Sequence, residues 1–368
     1  MKIILISGTI TPHITPRAFR TTELACSLAN LGHDVTVYAI LGNYDYSEFE
    51  LKTRVKVRDL GPSKWGNPNS DGKNNRGFFS KVLEKLLWRI IDFPKTEFYF
   101  KTKRVLRKEE NFDYLITIAQ PFPIHWAAAS IRKKFPNKFR FWTADCGDPF
   151  ICNPNVNRFK PLLVPIEKSW CRLVDKITVP VAGAIDGYFP EFRNKIVVIP
   201  QGVDFKSIRL AEYKKNDVPT FLYSGVVIAG RRDPTNFLDY LVSIREKYFR
   251  FIVYSTSPMF LEYKERLGSH LEIRDYIPRL DLIKEQSTMD FLINIQNSNP
   301  VQVPSKLIDY SLTKRPILSI SSGFNNEEKV AFEEFLSGDY SKQYVVENVS
   351  QYDSNNVARR FVELVKED

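Results

Sequence analysis

Short runs rich in Val, Ile and Phe alternate with amphipathic stretches along all 368 residues, and this rhythm constrains the fold more than any other feature. Runs that are apolar throughout suit strands covered on both faces, and the stretches between them have the length of helical crossovers. The predicted class is α/β, doubly wound. In the first half the predicted strands are Lys2–Ser7, Val35–Ile40, Val55–Leu60, Tyr114–Ile118, Phe139–Thr143, Lys176–Val179 and Ile196–Ile199. Between the first two, Phe19, Leu24, Leu28 and Leu31 recur at helical steps over Arg17–Leu31, and Gly32 supplies a stop.

The same pattern restarts after a polar connection over Gln201–Pro219. Strands are predicted at Thr220–Ser224, Phe251–Ser255, Leu271–Arg274, Asp290–Ile295, Pro316–Ile320 and Gln343–Val346. Helices are predicted at Pro234–Lys247, Pro258–Gly268, Leu280–Gln286, Ser305–Thr313, Glu327–Leu336 and Ser354–Val365. Two Rossmann-like domains follow, 1–200 and 201–368, with the helix over 354–366 able to pack back on the first. Open α/β sheets bind ligands outside the C-terminal ends of their strands, so a cleft faced by both domains is the expected site. Gly61–Gly77, with four Gly, two Pro and four Asn, reads as a long loop.

Composition narrows the partners. The chain is 43% hydrophobic and 26% charged, too apolar for a disordered chain. No stretch has the roughly 18 apolar residues of a spanning helix, and Lys2–Ile6 runs into Ser7-Gly8-Thr9 without a leader pattern. Cys26, Cys146, Cys152 and Cys171 form no Cys-x-x-Cys pair, so neither a zinc site nor a disulfide framework is indicated, and a cytoplasmic location is expected. Lys plus Arg, 53, against Asp plus Glu, 43, leaves +10, which favours anionic partners.

Three stretches could carry chemistry. Tyr223-Ser224-Gly225, then Gly230-Arg231-Arg232-Asp233-Pro234 before a helix, puts two guanidiniums and free N–H groups where a diphosphate would fit; the same residues also make an ordinary solvated basic turn. Ser305-Lys306-Leu307-Ile308-Asp309 opens another helix with a cation, and one turn later a carboxylate able to accept two vicinal hydroxyls, or it is a plain helix start. Asp145 and Asp148 follow the strand at Phe139–Thr143 and could orient a hydroxyl nucleophile or simply close a turn. His13 and His125 lie just beyond strand ends. No Asp-x-Asp occurs, so a carboxylate-held metal has no evident home, and no metal or other cofactor is expected.

Taken in order, these features resemble the GT-B glycosyltransferases, specifically the retaining, nucleotide-sugar-dependent family four of bacterial polysaccharide assembly. The similar stretches are Gly32-His33-Asp34-Val35, Asp145 to Pro149, Glu167, Val174 to Val179, Ile199 to Asp204, Gly225 to Pro234, Tyr276-Ile277-Pro278, Pro304 to Tyr310 and Arg315 to Leu318. The resemblance implies two Rossmann-like domains facing a central cleft. It implies Arg231 or Arg232 on the donor diphosphate with Gly225, Ser305 and Lys306, Asp309 on the donor ribose, and Tyr276 and Ile277 beside the nucleobase. It further implies that Asp145 and Asp148, with His13, Arg20 and His125, lie on the acceptor side. Val301 stands where the family's first glutamate is expected, and Asn236 where its lysine is expected.

The activity so implied is metal-independent hexosyl transfer from a UDP- or GDP-linked sugar to a glycan or lipid-linked acceptor in capsule, lipopolysaccharide or similar cell-surface polysaccharide biosynthesis. Alternatives are a catalytically degenerate partner subunit and a nucleotide-sugar epimerase. Residues 76–110 hold ten Lys or Arg against five Asp or Glu, interleaved with aromatics. Two helices there, Phe78–Ile91 and Lys95–Lys108, would give peripheral contact with an anionic membrane at its inner face, unless the aromatics fill the domain's own core. Nucleic acid is not an expected partner.

Overall fold

The computed structural model describes residues 1–63, 86–152, 159–228, 230, 232–296 and 305–366. The chain divides into two compact units, Met1–Asp204 with Gln351–Asp368, and Phe205–Ser350. The second unit is thus an insertion, and the helix Ser354–Leu364 belongs to the first.

In the first unit the strands are β1 (Lys2–Ile6), β2 (Asp34–Ala39), β3 (Lys56–Asp59), β4 (Phe112–Ala119), β5 (Phe139–Cys146), β6 (Lys176–Val179) and β7 (Ile196–Val198). They form one parallel sheet in the order β3-β2-β1-β4-β5-β6-β7. Alternation within β1 shows why its run is apolar throughout. Ile4 and Ile6 enter a core with Leu115, Trp142 and Ile177, whereas Ile3 and Leu5 enter another with Leu24, Leu28, Val35 and Phe361. Both faces are covered, as a crossover sheet requires.

The second unit contains β8 (Thr220–Ser224), β9 (Arg250–Tyr254), β10 (Leu271–Arg274), β11 (Phe291–Ile295) and β12 (Ile317–Ile320). Its parallel sheet has the order β10-β9-β8-β11-β12. The Phe221 ring stacks on Phe251 and Phe291 at 4.9 and 4.8 Å, joining the three central strands. In each sheet the chain reverses its direction of winding beside the first strand, between β1 and β4 and between β8 and β11. These are the switch points at which doubly wound sheets take ligands.

Three departures from expectation have local causes. Gln343–Val346 forms no strand: Tyr344 N–H donates to the Ile317 carbonyl, but Val345 beside it stays exposed. Lys160–Leu173 is helical although it holds two prolines: Pro161 sits in the first turn, where no N–H is needed, and Pro165 costs the helix one backbone bond without ending it. The short helix Ser47–Thr53 has no buried residue and hence no apolar periodicity to read.

Of the basic, aromatic segment, residues 76–85 lie outside the described residues, 86–91 are helical, and Glu97–Lys108 is a helix. Phe98, Val105 and Leu106 of that helix are core, while Phe100, Arg104, Arg107 and Lys108 are exposed. Among the described residues no helix is long and apolar enough to cross a membrane.

Candidate functional site

The second unit's switch point collects most of the expected donor-side residues. Tyr223 and Ser224 end β8 with their side chains buried, and Gly225 turns the chain at φ 141°, a conformation that side-chain-bearing residues rarely adopt. Its N–H donates to the Tyr254 carbonyl at 3.1 Å. A Cβ on Gly225 would lie 3.4 Å from the Tyr223 hydroxyl and 3.9 Å from Lys306 Cδ, ordinary contacts, so the glycine is required by its backbone angle and not by lack of space.

Ile228 and Arg232 then exchange backbone hydrogen bonds of 3.1 and 2.7 Å across a tight turn, and the Arg232 guanidinium donates to the Val226 carbonyl at 3.4 Å. Asp233 accepts from the Thr235 N–H at 3.0 Å and from its hydroxyl at 2.5 Å. These bonds hold its carboxyl below the ordinary range and open the helix Thr235–Ser243. Arg231 lies outside the described residues. Asn236 is committed elsewhere, its side-chain amide donating to the Ser322 carbonyl at 2.8 Å.

Lys306 is the second residue of the helix Ser305–Leu312, which follows β11; of Ser305 only its place at the head of the helix is described. The Lys306 Nζ is shut off from solvent, lies 4.5 Å from the centre of the Tyr223 ring, and has no hydrogen-bond partner among the described residues. Burial, and then the nearby Arg232 charge, pull its pKa from 10.5 to about 7. Asp309, one turn later, is clasped by Arg279 through bonds of 3.0 and 2.5 Å. Tyr310, behind it, ties its hydroxyl to the Ser224 N–H at 2.9 Å. Tyr276 is 77% exposed on the loop after β10, and Ile277 is half-buried beside it.

Sequence reasoning placed Gly225, Arg232, Lys306 and Asp309 on the donor side, and within this unit they lie around one strand end. It missed Tyr223 as the platform under the lysine and Arg279 as the partner of Asp309. Thirty positions separate that pair, so nothing in the local sequence pattern marks it.

The first unit's candidates form a different arrangement. Asp145 ends β5 completely buried, with Arg20 donating to both its oxygens at 3.1 and 2.8 Å and Thr178 adding a third bond at 2.8 Å. Arg17 approaches at 3.5 Å. Burial alone would raise this carboxyl; Arg20, then Arg17 and Thr178, overturn that and hold it below its ordinary value. Arg20 also donates to the Ile199 and Pro200 carbonyls and lies over the Phe361 ring. The pair expected to face an acceptor therefore anchors the unit's own core, and Asp145 has no oxygen left for a hydroxyl.

His125 is fully buried as well. Its Nδ1 meets the Thr117 hydroxyl at 2.8 Å, its Nε2 faces the Cys146 sulfur at 3.4 Å, and burial pulls its pKa to about 3. It is a neutral core residue, where the resemblance placed it on the acceptor side. His13 is half-buried and Asp148 exposed, both on loops beyond strand ends. Gly8 is forced in this crevice, since a Cβ there would come within 2.7 Å of the Pro121 ring. Among the described residues no group of three His, Cys, Asp or Glu is arranged to hold a metal ion.

Two parallel doubly wound sheets with these switch points are the GT-B fold, and solved structures agree over the whole chain. A glycosyltransferase from Rickettsia africae ESF-5 is similar with a TM-score of 0.64 and 15% identity, covering 100% of this chain and 98% of its own. The lipopolysaccharide outer core galactosyltransferase WaaB is similar at 0.60 and 11%, covering 100% and 99%. The UDP-GlcNAc 2-epimerase from Neisseria meningitidis, solved with UDP-GlcNAc bound, is similar at 0.59 and 12%, covering 100% of both chains. No family model matches the sequence, and no curated protein matches it.

Proposed function

We propose that this chain is a retaining glycosyltransferase that moves a sugar from a UDP- or GDP-linked donor to a glycan or lipid-linked acceptor in cell-surface polysaccharide assembly, as its likeness to family four implies. The observation that carries the reading is the buried Lys306 side-chain nitrogen at the second unit's switch point, beside Arg232 and near Gly225, with no hydrogen-bond partner among the described residues. A diphosphate would supply that partner. Breaking the bond from the anomeric carbon to the diphosphate builds negative charge on the departing phosphate. Once the donor is bound, positive charge on Arg232 and Lys306 would stabilise that charge without further reorganisation. The chemistry asks for no covalent step on the protein. Asp309, held rigid by Arg279, presents its outer lone pairs to vicinal hydroxyls such as those of a ribose.

A second reading is kept because the Neisseria structure, of the same fold and solved with UDP-GlcNAc, is an epimerase. Both readings require a nucleotide sugar, and the product separates them. The test is a thermal-shift panel of UDP- and GDP-sugars, followed by product analysis with and without glycan acceptors. A ligand at about a hundred times its Kd adds roughly 2.7 kcal/mol of stability. Transfer that needs acceptor, with kcat/KM down about a hundred-fold in Arg232→Ala, supports transfer. An isomerised donor formed without acceptor moves the reading to epimerase. Stabilisation by none of the panel would sink both.

A further inference from the structure

An ammonium group carries three N–H donors and no acceptor, so one withdrawn from water needs carbonyls, carboxylates or bound water around it. Among the described residues, the elements around Lys306 offer little. On its own helix, the Asp309 carboxylate is committed to Arg279, which comes from the helix Arg279–Gln286. From that same helix, Gln286 gives its amide to the Ser224 hydroxyl at 3.0 Å. Tyr310 is hydrogen-bonded to Ser224, and burial raises its pKa, so it stays a neutral phenol. From β8, Tyr223 presents the face of its ring and directs its hydroxyl to the Val226 carbonyl. From the turn after β8 comes Arg232, a second positive charge.

The ring face attracts a cation but accepts no conventional hydrogen bond, and it does not replace the hydration lost on burial. Loss of a proton relieves both that desolvation and the repulsion from Arg232, which is why the amine titrates near neutrality. Arg232 has no such option, because a guanidinium keeps its charge.

We infer that Lys306 is the proton-loaded cation of this site, taking up a proton from solvent as a nucleotide diphosphate arrives and giving it back as the nucleotide leaves. The inference rests on the nucleotide-sugar reading and adds its regulation. The nitrogen lone pair accepts a proton from the buffer acid, the resulting ammonium pairs with a phosphate oxygen, and the reverse step restores the free amine. The free site is thereby spared one of two adjacent like charges, and the charge appears when an anion is there to meet it. Rising pH should weaken donor binding although no part of the donor titrates.

Isothermal titration calorimetry of the full chain tests this, with UDP-glucose and GDP-mannose as probes. Their diphosphates are esterified at both ends and so lack the second ionisation that a phosphate monoester shows near pH of about 6. Titrations run at about pH 6.5 and about pH 8.5, in pairs of buffers with different ionisation heats. With a free-site pKa of about 7, binding should be roughly ten- to thirty-fold weaker at the higher pH, with uptake there approaching one proton per nucleotide. Lys306→Arg, charged throughout, should bind with flat pH dependence and buffer-independent heat. Lys306→Met should bind weakly and equally at both pH values. Flat affinity and identical heats in the unaltered protein would overturn the inference and leave the nucleotide-sugar reading standing. A pH dependence that survives in Lys306→Arg would also overturn it, by assigning the proton to another group. Absence of binding by either probe at both pH values would take the reading and the inference together.

Discussion

The two sheets carry charge at the C-terminal ends of their strands and treat it in opposite ways. At the end of β5 in the first unit, Asp145 is matched by Arg20 in a two-point pair, with Thr178 and Arg17 completing the set, all inside the fold. At the head of the helix after β11 in the second, Lys306 is withdrawn from water with no partner among the described residues, while Asp309 on the same helix is paired with Arg279. The first arrangement is self-sufficient and contributes to stability. The second carries a standing electrostatic cost that a bound anion would remove. Position at a strand's C-terminal end therefore does not by itself define a ligand site; what distinguishes one is charge left unmatched among the described residues.

The largest test of this contrast is Asp145→Asn. It leaves Arg20 buried without its counter-charge, a change that costs about 3–5 kcal/mol, and the melting temperature should fall by roughly 10 °C. An unchanged melt with lost activity would instead return Asp145 to a catalytic role. His125, in the same unit, gives the next effect. Its pKa is near 3 in the fold against about 6.5 in an unfolded chain, so the unfolded state binds the extra proton in between. Stability present above about pH 6.5 should be lost as pH falls, at about 1.4 kcal/mol per pH unit. Urea titrations at about pH 7 and about pH 4.5 should show His125→Gln losing about 2 kcal/mol less than the unaltered protein; equal losses would place the titrating group elsewhere.

The smallest stability effect has the opposite sign. The unfolded chain keeps a charged lysine up to its ordinary value of 10.5, whereas the folded protein sheds that proton near 7, so the cost of burying Lys306 is greatest below about pH 7 and fades as pH rises. Lys306→Met should stabilise the protein by roughly 1–2 kcal/mol at about pH 6, and that gain should be gone by about pH 9. A destabilised variant at the lower pH would mean that the ammonium has a partner in the fold.

Strand positions were legible because both faces of each sheet are covered, so runs such as Ile3–Ile6 and Phe291–Ile293 are apolar without interruption. Helices with a marked buried stripe were legible for the same reason. Lys160–Leu173 was hidden by its two prolines, and Gln343–Val346 has strand-forming residues without a second face to bury. At the sites, composition located Arg232, Lys306 and Asp309 but could not tell a matched charge from an unmatched one. That distinction depends on pairs such as Arg279 with Asp309 and Arg20 with Asp145, brought together across 30 and 125 positions. The reading of Asp145 and His125 as acceptor-side groups failed on that point, since a polar residue just past a strand looks alike whether it faces solvent or core.

The chain's path through the first unit also bears on its birth. Val357, Ala358, Phe361 and Leu364 close the apolar face that Leu24 and Leu28 present, and Phe361 lies beneath the Arg20 guanidinium. A nascent polypeptide therefore holds that face open while residues 205–350 emerge and fold. The face of Leu24 and Leu28 is thus sealed only after the insertion between it and its cover has been made, which leaves it exposed to wrong partners in the interval.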